Sequence, residues 1–169
     1  LRAAEQAEDV CPREPYAFYY PVVEQQELQA FALKESRERG IKLLNPRLVP
    51  RYAKMKGFDA FPRTAAGPLE FLSLLIHSQV VFTNSFHATV FSTIFSKELY
   101  SLQMKGRHFN RNNRILEYLR MMQLLDSQSL NGVCIRIEPY VNPDFKKILE
   151  NQRARSKGYL YDSLCIKEQ

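Results

Sequence analysis

A histidine two residues beyond a serine, at the end of a short apolar run, is the part of this chain best suited to chemistry. The run Val80-Val81-Phe82 leads into Thr83, Asn84 and Ser85, then Phe86 and His87. Strand-forming residues, three short polar residues and a new helically periodic stretch predict strand, tight turn and a helix from near Phe86. Ser85 or Asn84 can cap that helix. Its first turn exposes unpaired amides and the positive end of the helix dipole, which together attract an anion. His87 falls in that turn, where an imidazolium is disfavoured unless an anion accompanies it. The outline is a phosphate or carboxylate site, with Thr83 and Asn84 either bonding the ligand or closing the turn. The helix face of His87 continues through Val90, Phe91 and Ile94, so a core histidine stays equally open. A nucleophile elbow is not indicated, because Thr83 and His87 stand where G-x-S-x-G needs glycine, and helix capping is the simpler role for Ser85.

Cations follow. Between Lys97 and Arg120 lie Lys97, Lys105, Arg107, Arg111, Arg114 and Arg120, opposed by Glu98 and Glu117. A guanidinium can hold phosphate or carboxylate with two parallel hydrogen bonds. Arg114 is the preferred candidate, because a cation at a helix start is unfavourable without a compensating anion. Arg107 and Arg111 are weaker candidates, and any one of these residues could equally belong to a solvated basic face. His77 and His108 have no cysteine or carboxylate at ligand spacing, so neither is assigned a role and no metal is expected; no cofactor is expected either. The basic run from Lys146 to Lys157 lacks interleaved aromatic residues, which argues against a nucleic-acid platform.

The elements that must position these groups can be read in order. Residues 1–15 form a polar leading segment. Tyr16 to Val23 reads as a strand. Glu24 to Arg39 reads as a helix with Leu28, Phe31 and Ala32 in one stripe and Gly40 as its stop. Ile41 to Leu44 is a second strand, and strand–helix–strand at this spacing predicts a parallel sheet. Arg47 to Ala66 is irregular, with room for one short strand. Pro68 opens a helix, Leu69 to His77, apolar almost all round and therefore expected to be buried. After the central strand and helix come a strand over Lys97 to Leu102, a polar mobile loop over Gln103 to Asn113, and a helix over Arg114 to Gln123. Extended chain is expected over Asp126 to Arg136 and a last helix over Val141 to Leu164. The fold class is α/β, an open doubly wound sheet, in which ligands bind beyond the carboxyl ends of the strands. Thr83 to His87 falls there.

The bulk properties agree. The chain has 169 residues, 45% hydrophobic and 25% charged, with a net charge of +6. That suffices for one α/β domain with a sizeable core and suits an anionic ligand. Its three cysteines are far apart and form no CxxC, so neither a zinc site nor a disulfide framework is indicated. No apolar run approaches the roughly 18 residues that cross a bilayer, and no signal peptide is seen. A cytoplasmic location is the simplest expectation.

The stretch from Leu69 to Phe95, LEFLSLLIHSQVVFTNSFHATVFSTIF, with the basic loop and RILEYLRMMQLLD over Arg114 to Asp126, resembles the C-terminal half of the polysaccharide pyruvyl transferases. The likeness covers roughly residues 16 to 130, and its TNSFH core is specific. Ala88 stands where that family usually has glycine. The resemblance implies a Rossmann-like domain, residues 16–140, from a glycosyltransferase-B-like architecture, with residues 141–169 as a helix packing on this domain or on an absent N-terminal one. It implies transfer of pyruvate from phosphoenolpyruvate to two hydroxyls of a sugar or lipid-linked oligosaccharide, as a ketal, in cell-surface polysaccharide synthesis. On that reading His87 neutralises the donor and can supply a proton, and Arg114 holds the donor's other anion, with Arg107 and Arg111 in support. Thr83, Asn84 and Ser85 position it. Work at the inner membrane face would involve peripheral membrane contact; no nucleic-acid partner is expected. Two alternatives stay open: a glycosyltransferase domain binding a nucleotide-sugar, and a non-catalytic anion-binding domain of the same fold.

Overall fold

The computed structural model describes residues 11–48, 50–59, 66–125, 134–138 and 144–164; the side chains of Pro50, Arg107, Phe109 and Arg111 are outside the description. A five-stranded sheet runs in the order β2-β1-β3-β4-β5. Strand β1 is Tyr16–Tyr20, β2 is Lys42–Leu44, β3 is Val80–Thr83, β4 is Glu98–Leu102 and β5 is Cys134–Ile137. The first four are parallel, with Ala17 opposite Leu43 and Val80, and Val81 opposite Leu99. Strand β5 joins antiparallel to β4, Leu99 facing Ile137, which corrects the expectation of a uniformly parallel sheet. The family-like fold class stands: an α/β, Rossmann-like domain with helices on both faces.

Side-chain alternation along the strands sorts residues into two cores. Tyr16, Phe18, Val81, Leu99, Ile135 and Ile137 face one way, against Leu74, Leu75, Ala88, Ile115 and Leu119 from the helices. Ala17, Tyr19, Val80, Phe82 and Tyr100 face the other, against Leu28, Ala32 and Ala53. Both faces of the central strands are therefore covered, as their almost unbroken apolar sequence requires.

Strand β1 ends at Tyr20 rather than Val23, because Pro21 has no N–H for the ladder. Helix α1, Gln26–Glu38, closes through Gly40 at φ +64°, where Gly40 N–H reaches Arg37 O at 3.1 Å and Ile41 N–H reaches Ser36 O at 3.0 Å. This is the helix stop read from the sequence. Within the irregular stretch lies a short helix, α2, Pro50–Met55, and no strand among its described residues. Among the described residues a single bridge, Leu44 to Asp59, extends the sheet there. Asp59 secures it by accepting Leu43 N–H at 2.7 Å.

Helix α3, Pro68–His77, buries only Ser73, Leu74 and Leu75. Leu69 is exposed, and Phe71, Leu72 and Ile76 are half-buried, so the expectation of a helix buried all round is corrected. It covers one face of the sheet as an outer layer. Helix α4 is Phe86–Ile94. The polar loop after β4 is in part a 3-10 segment, Gly106–Arg111, running directly into α5, Asn112–Met121. Buried Asn112 holds that corner, taking Met104 N–H at 2.7 Å and donating to Met104 O at 2.8 Å. Helix α6, Phe145–Ser163, packs Phe145, Ile148 and Leu149 against the core. Beyond them Tyr159, Leu160 and Leu164 are exposed. The expectations for residues 1–10 and 126–133 lie outside the described residues.

Candidate functional site

Strands β1 and β3 are neighbours, yet the chain leaves β1 toward β2 and leaves β3 toward β4. Their carboxyl ends are thus the switch point, where connections diverge to opposite sides and leave a crevice. Thr83 to His87 crosses this point.

Thr83 and Asn84 are fully buried, and their polar atoms are taken up by the protein. The Thr83 hydroxyl donates to Tyr20 O and accepts Ser85 N–H at 2.9 Å, which ties the ends of the two strands. The Asn84 amide reaches into the loop after β1. Its Oδ1 accepts Val22 N–H at 2.7 Å and Val23 N–H at 3.3 Å, while its Nδ2 donates to Val23 O at 2.6 Å and Gln25 Oε1 at 2.8 Å. Gln25 in turn donates to Gln103 O at 3.1 Å, beyond β4. Between closing the turn and meeting a ligand, these two side chains close the turn. Ser85 is the N-cap of α4, its hydroxyl accepting Ala88 N–H at 3.4 Å.

At the start of α4, His87 is exposed and Phe86 half-buried. Thr89 N–H bonds Ser85 O at 2.9 Å, so the intrahelical ladder starts at Thr89. The amides of Phe86 and His87 have no acceptor among the described residues, as the first N–H groups of a helix must. His87 is exposed, not packed in the core. Its ring meets the Phe86 ring edge-on, centroids 5.8 Å apart. On the same Phe86 ring lies the Arg114 guanidinium, 4.6 Å from the centroid. Phe86 is held by Tyr118 at 6.0 Å, edge-on, and the Tyr118 hydroxyl meets Thr93 Oγ1 at 2.6 Å. Burial raises the Tyr118 phenol above its ordinary range, so it stays a neutral, fixed wall. One aromatic ring therefore carries an imidazole at its edge and a guanidinium at its face, at the positive end of a helix.

Of the other candidate cations, Lys97, Lys105 and Arg120 do not gather there. Lys97 lies at the amino edge of the sheet, donating to Ser78 O at 3.0 Å, and burial lowers its pKa. Lys105 pairs with Glu27 at 2.9 Å. Arg120 is exposed two turns along α5. The side chains of Arg107 and Arg111 lie outside the described residues. Among the described residues no group of histidine, cysteine or acidic side chains could hold a metal.

Two contributors at this edge were not singled out from the sequence, Gln25 and Arg47. Arg47 follows β2, crosses the Tyr20 ring at 5.7 Å and donates to Pro21 O. Its position just after a strand, in Asn45-Pro46-Arg47, was the available signal, since residues there reach the ligand edge.

A family model described as polysaccharide pyruvyl transferase matches residues 4–103 of the chain. That span holds β1 to β4 and the whole TNSFH segment, while α5 with Arg114 lies beyond it. Neither the curated proteins nor the solved structures contain a match.

Proposed function

The chain belongs to the polysaccharide pyruvyl transferase family, and from that premise we propose that its carboxyl edge binds phosphoenolpyruvate as the donor for ketal formation on a sugar. The observation that supports this is the open start of α4, where two unsatisfied amides, exposed His87 and Arg114 converge around Phe86. Phosphoenolpyruvate is small and carries two anionic groups. One suits the helix amides and His87; the other suits the guanidinium.

The chemistry assigns each proton. One sugar hydroxyl adds its oxygen to the carbon bearing the phosphate ester, the vinyl CH2 takes a proton from His87 to become CH3, and the hydroxyl's own proton passes back to His87. The second hydroxyl then forms the other C–O bond to the same carbon. Phosphate departs with its bridging oxygen, and the second hydroxyl proton leaves with it. His87, on the solvent side of the site, is positioned to deliver the first proton and to neutralise charge on the departing phosphate. Arg114 holds the carboxylate. Thr83, Asn84 and Ser85 act through the backbone, fixing the turn from which the amides point. This domain is the donor-binding half of a two-domain enzyme of cell-surface polysaccharide synthesis, working at the cytoplasmic face of the membrane. Among the described residues no helix is long and apolar enough to cross a bilayer.

Calorimetric titration with phosphoenolpyruvate tests the proposal. His87→Ala and Arg114→Ala should each weaken binding roughly ten- to a hundredfold, the loss of one charge-assisted contact. Equal affinity in both variants and the native chain, or tighter binding of a nucleotide-sugar, overturns it.

A further inference from the structure

A cavity of about 300 Å³ opens beside the switch point, lined by Tyr20, Pro46, Arg47, Ala66 and Phe71. It is not part of the α4 opening. Its floor is the carboxyl end of β1, and its rim is closed by the bond from Ala66 N–H to Pro46 O at 3.4 Å. Tyr20 and Phe71 meet edge-to-face at 4.7 Å, so the aromatic wall is rigid. Phe71 also contacts Phe18 at 5.5 Å and Phe91 at 6.3 Å, which fastens the cavity to the core and to α4.

Of the five lining side chains, Arg47 alone is charged. It is held in place from two sides, by the Pro21 carbonyl and the Tyr20 ring. No carboxylate pairs with it among the described residues. A guanidinium has five N–H donors, so donors remain for a ligand. Next to it, the side-chain Nδ2 of buried Asn45 has no acceptor among the described residues. An arginine fixed at the mouth of an apolar cavity, with no acid of its own, is arranged for an acid that arrives with a ligand.

The size and the walls select which acid. A free inorganic anion is strongly hydrated and gains nothing from Pro46, Ala66 and Phe71. A volume near the lower end of ordinary ligand pockets suits one ring with its substituents. A pyranose offers apolar C–H faces to such walls and oxygens to the rim. We infer that this cavity is a sugar subsite that takes one pyranose bearing a carboxylate or phosphate, with the negative group on Arg47.

The placement gives the subsite its use. Tyr20 is the ladder partner of Thr83, and their main chains are joined by the Thr83 hydroxyl. Adjacent strands lie about 4.8 Å apart, so a ring seated against Tyr20 is one strand away from the turn into α4. A donor at α4 and an acceptor hydroxyl projecting from the cavity then share one edge, as group transfer requires. The acceptor role rests on the donor reading above; the binding of an acidic sugar does not.

Ligand-detected NMR titrations of the full chain with glucuronate, glucose 6-phosphate, glucose and inorganic phosphate separate these cases. Glucuronate or glucose 6-phosphate should bind the native chain at least tenfold more tightly than glucose or inorganic phosphate, and whichever does so identifies the acidic group. Arg47→Ala should abolish that preference. Arg47→Lys should restore part of it. Arg37→Ala, which removes an equal charge from the exposed face of α1, should leave it unchanged. Equal binding of glucose, equal binding of inorganic phosphate, or indifference to Arg47→Ala overturns the inference. If phosphoenolpyruvate fails to bind while Arg47-dependent sugar binding persists, only the donor reading falls. If phosphoenolpyruvate binds and no Arg47-dependent sugar binding is found, only this inference falls.

Discussion

Replacing Asn84 by alanine should cost more than any other single truncation at the carboxyl edge. The side chain has 0% exposure, and its amide is the only described link from the turn after β3 to the loop after β1. Truncation removes three short hydrogen bonds, at 2.6, 2.7 and 2.8 Å, and one long one at 3.3 Å. Each short bond contributes about 1 kcal/mol net, and groups left unpaired out of water cost more. The loop is only part-buried, so water can reach some of the freed groups, and the total is about 3 kcal/mol. For a chain of this size 1 kcal/mol shifts the melting temperature by roughly 2–4 °C, which predicts a drop of roughly 6–12 °C. Urea unfolding followed by circular dichroism gives the free energy. Hydrogen exchange locates it, because Val22 and Val23 amides should lose protection while those of β3 keep theirs until global unfolding. A comparison variant, Asn112→Ala, removes two such bonds at the end of β4 and should cost about 2 kcal/mol, with protection lost at Met104 instead. A loss below about 1 kcal/mol for Asn84→Ala, or unchanged exchange at Val22 and Val23, would refute the view that this amide builds the switch point.

Other outcomes follow from single contacts. The Arg39 guanidinium, with help from Arg136, holds the Glu98 carboxyl down to about 2 from an ordinary 4.5. The unfolded chain therefore binds more protons at Glu98 than the folded one. Its contribution is complete above about pH 5 and is lost as pH falls toward 2. Glu98→Gln should flatten the acid limb of a stability-versus-pH curve and cost on the order of 2 kcal/mol at neutral pH; an unchanged limb counts against the pairing. Arg114→Lys keeps the charge but loses the guanidinium's place over the Phe86 ring and the fork, so phosphoenolpyruvate affinity should fall roughly three- to tenfold, whereas Arg120→Ala should leave the titration unchanged. Gly40→Ala places a Cβ at φ +64° and should destabilise the chain by about 1 kcal/mol, read by chemical denaturation, although nothing lies within 4 Å to clash with it.

Where sequence was a good guide and where it was not follows from what each element depends on. The strand–turn–helix over Val80 to Ile94 was legible because local rules agree there: β-branched and aromatic residues, short polar residues at the turn, and a serine at the cap. Gly40 was legible for the same reason. The antiparallel β5 was not, because nothing in Cys134–Ile137 records which neighbour it pairs with or in which direction. Helix α3 was misread because an all-round apolar helix looks the same whether a second layer covers it or not. At the site, His87 could be placed at a helix start from its position alone, but its exposure could not, since Val90, Phe91 and Ile94 suggested a buried face. The internal work of Asn84 and the place of Arg114 over the Phe86 ring depend on contacts 61 and 28 positions apart in sequence. Arg47 shows the same limit most sharply: alone it is one of many surface cations, and only its place against the ring of a residue on another strand, with no described carboxylate paired to it, draws attention to it. Periodicity and capping thus reveal the scaffold of such a site, whereas its charges acquire meaning only when the strands are set side by side.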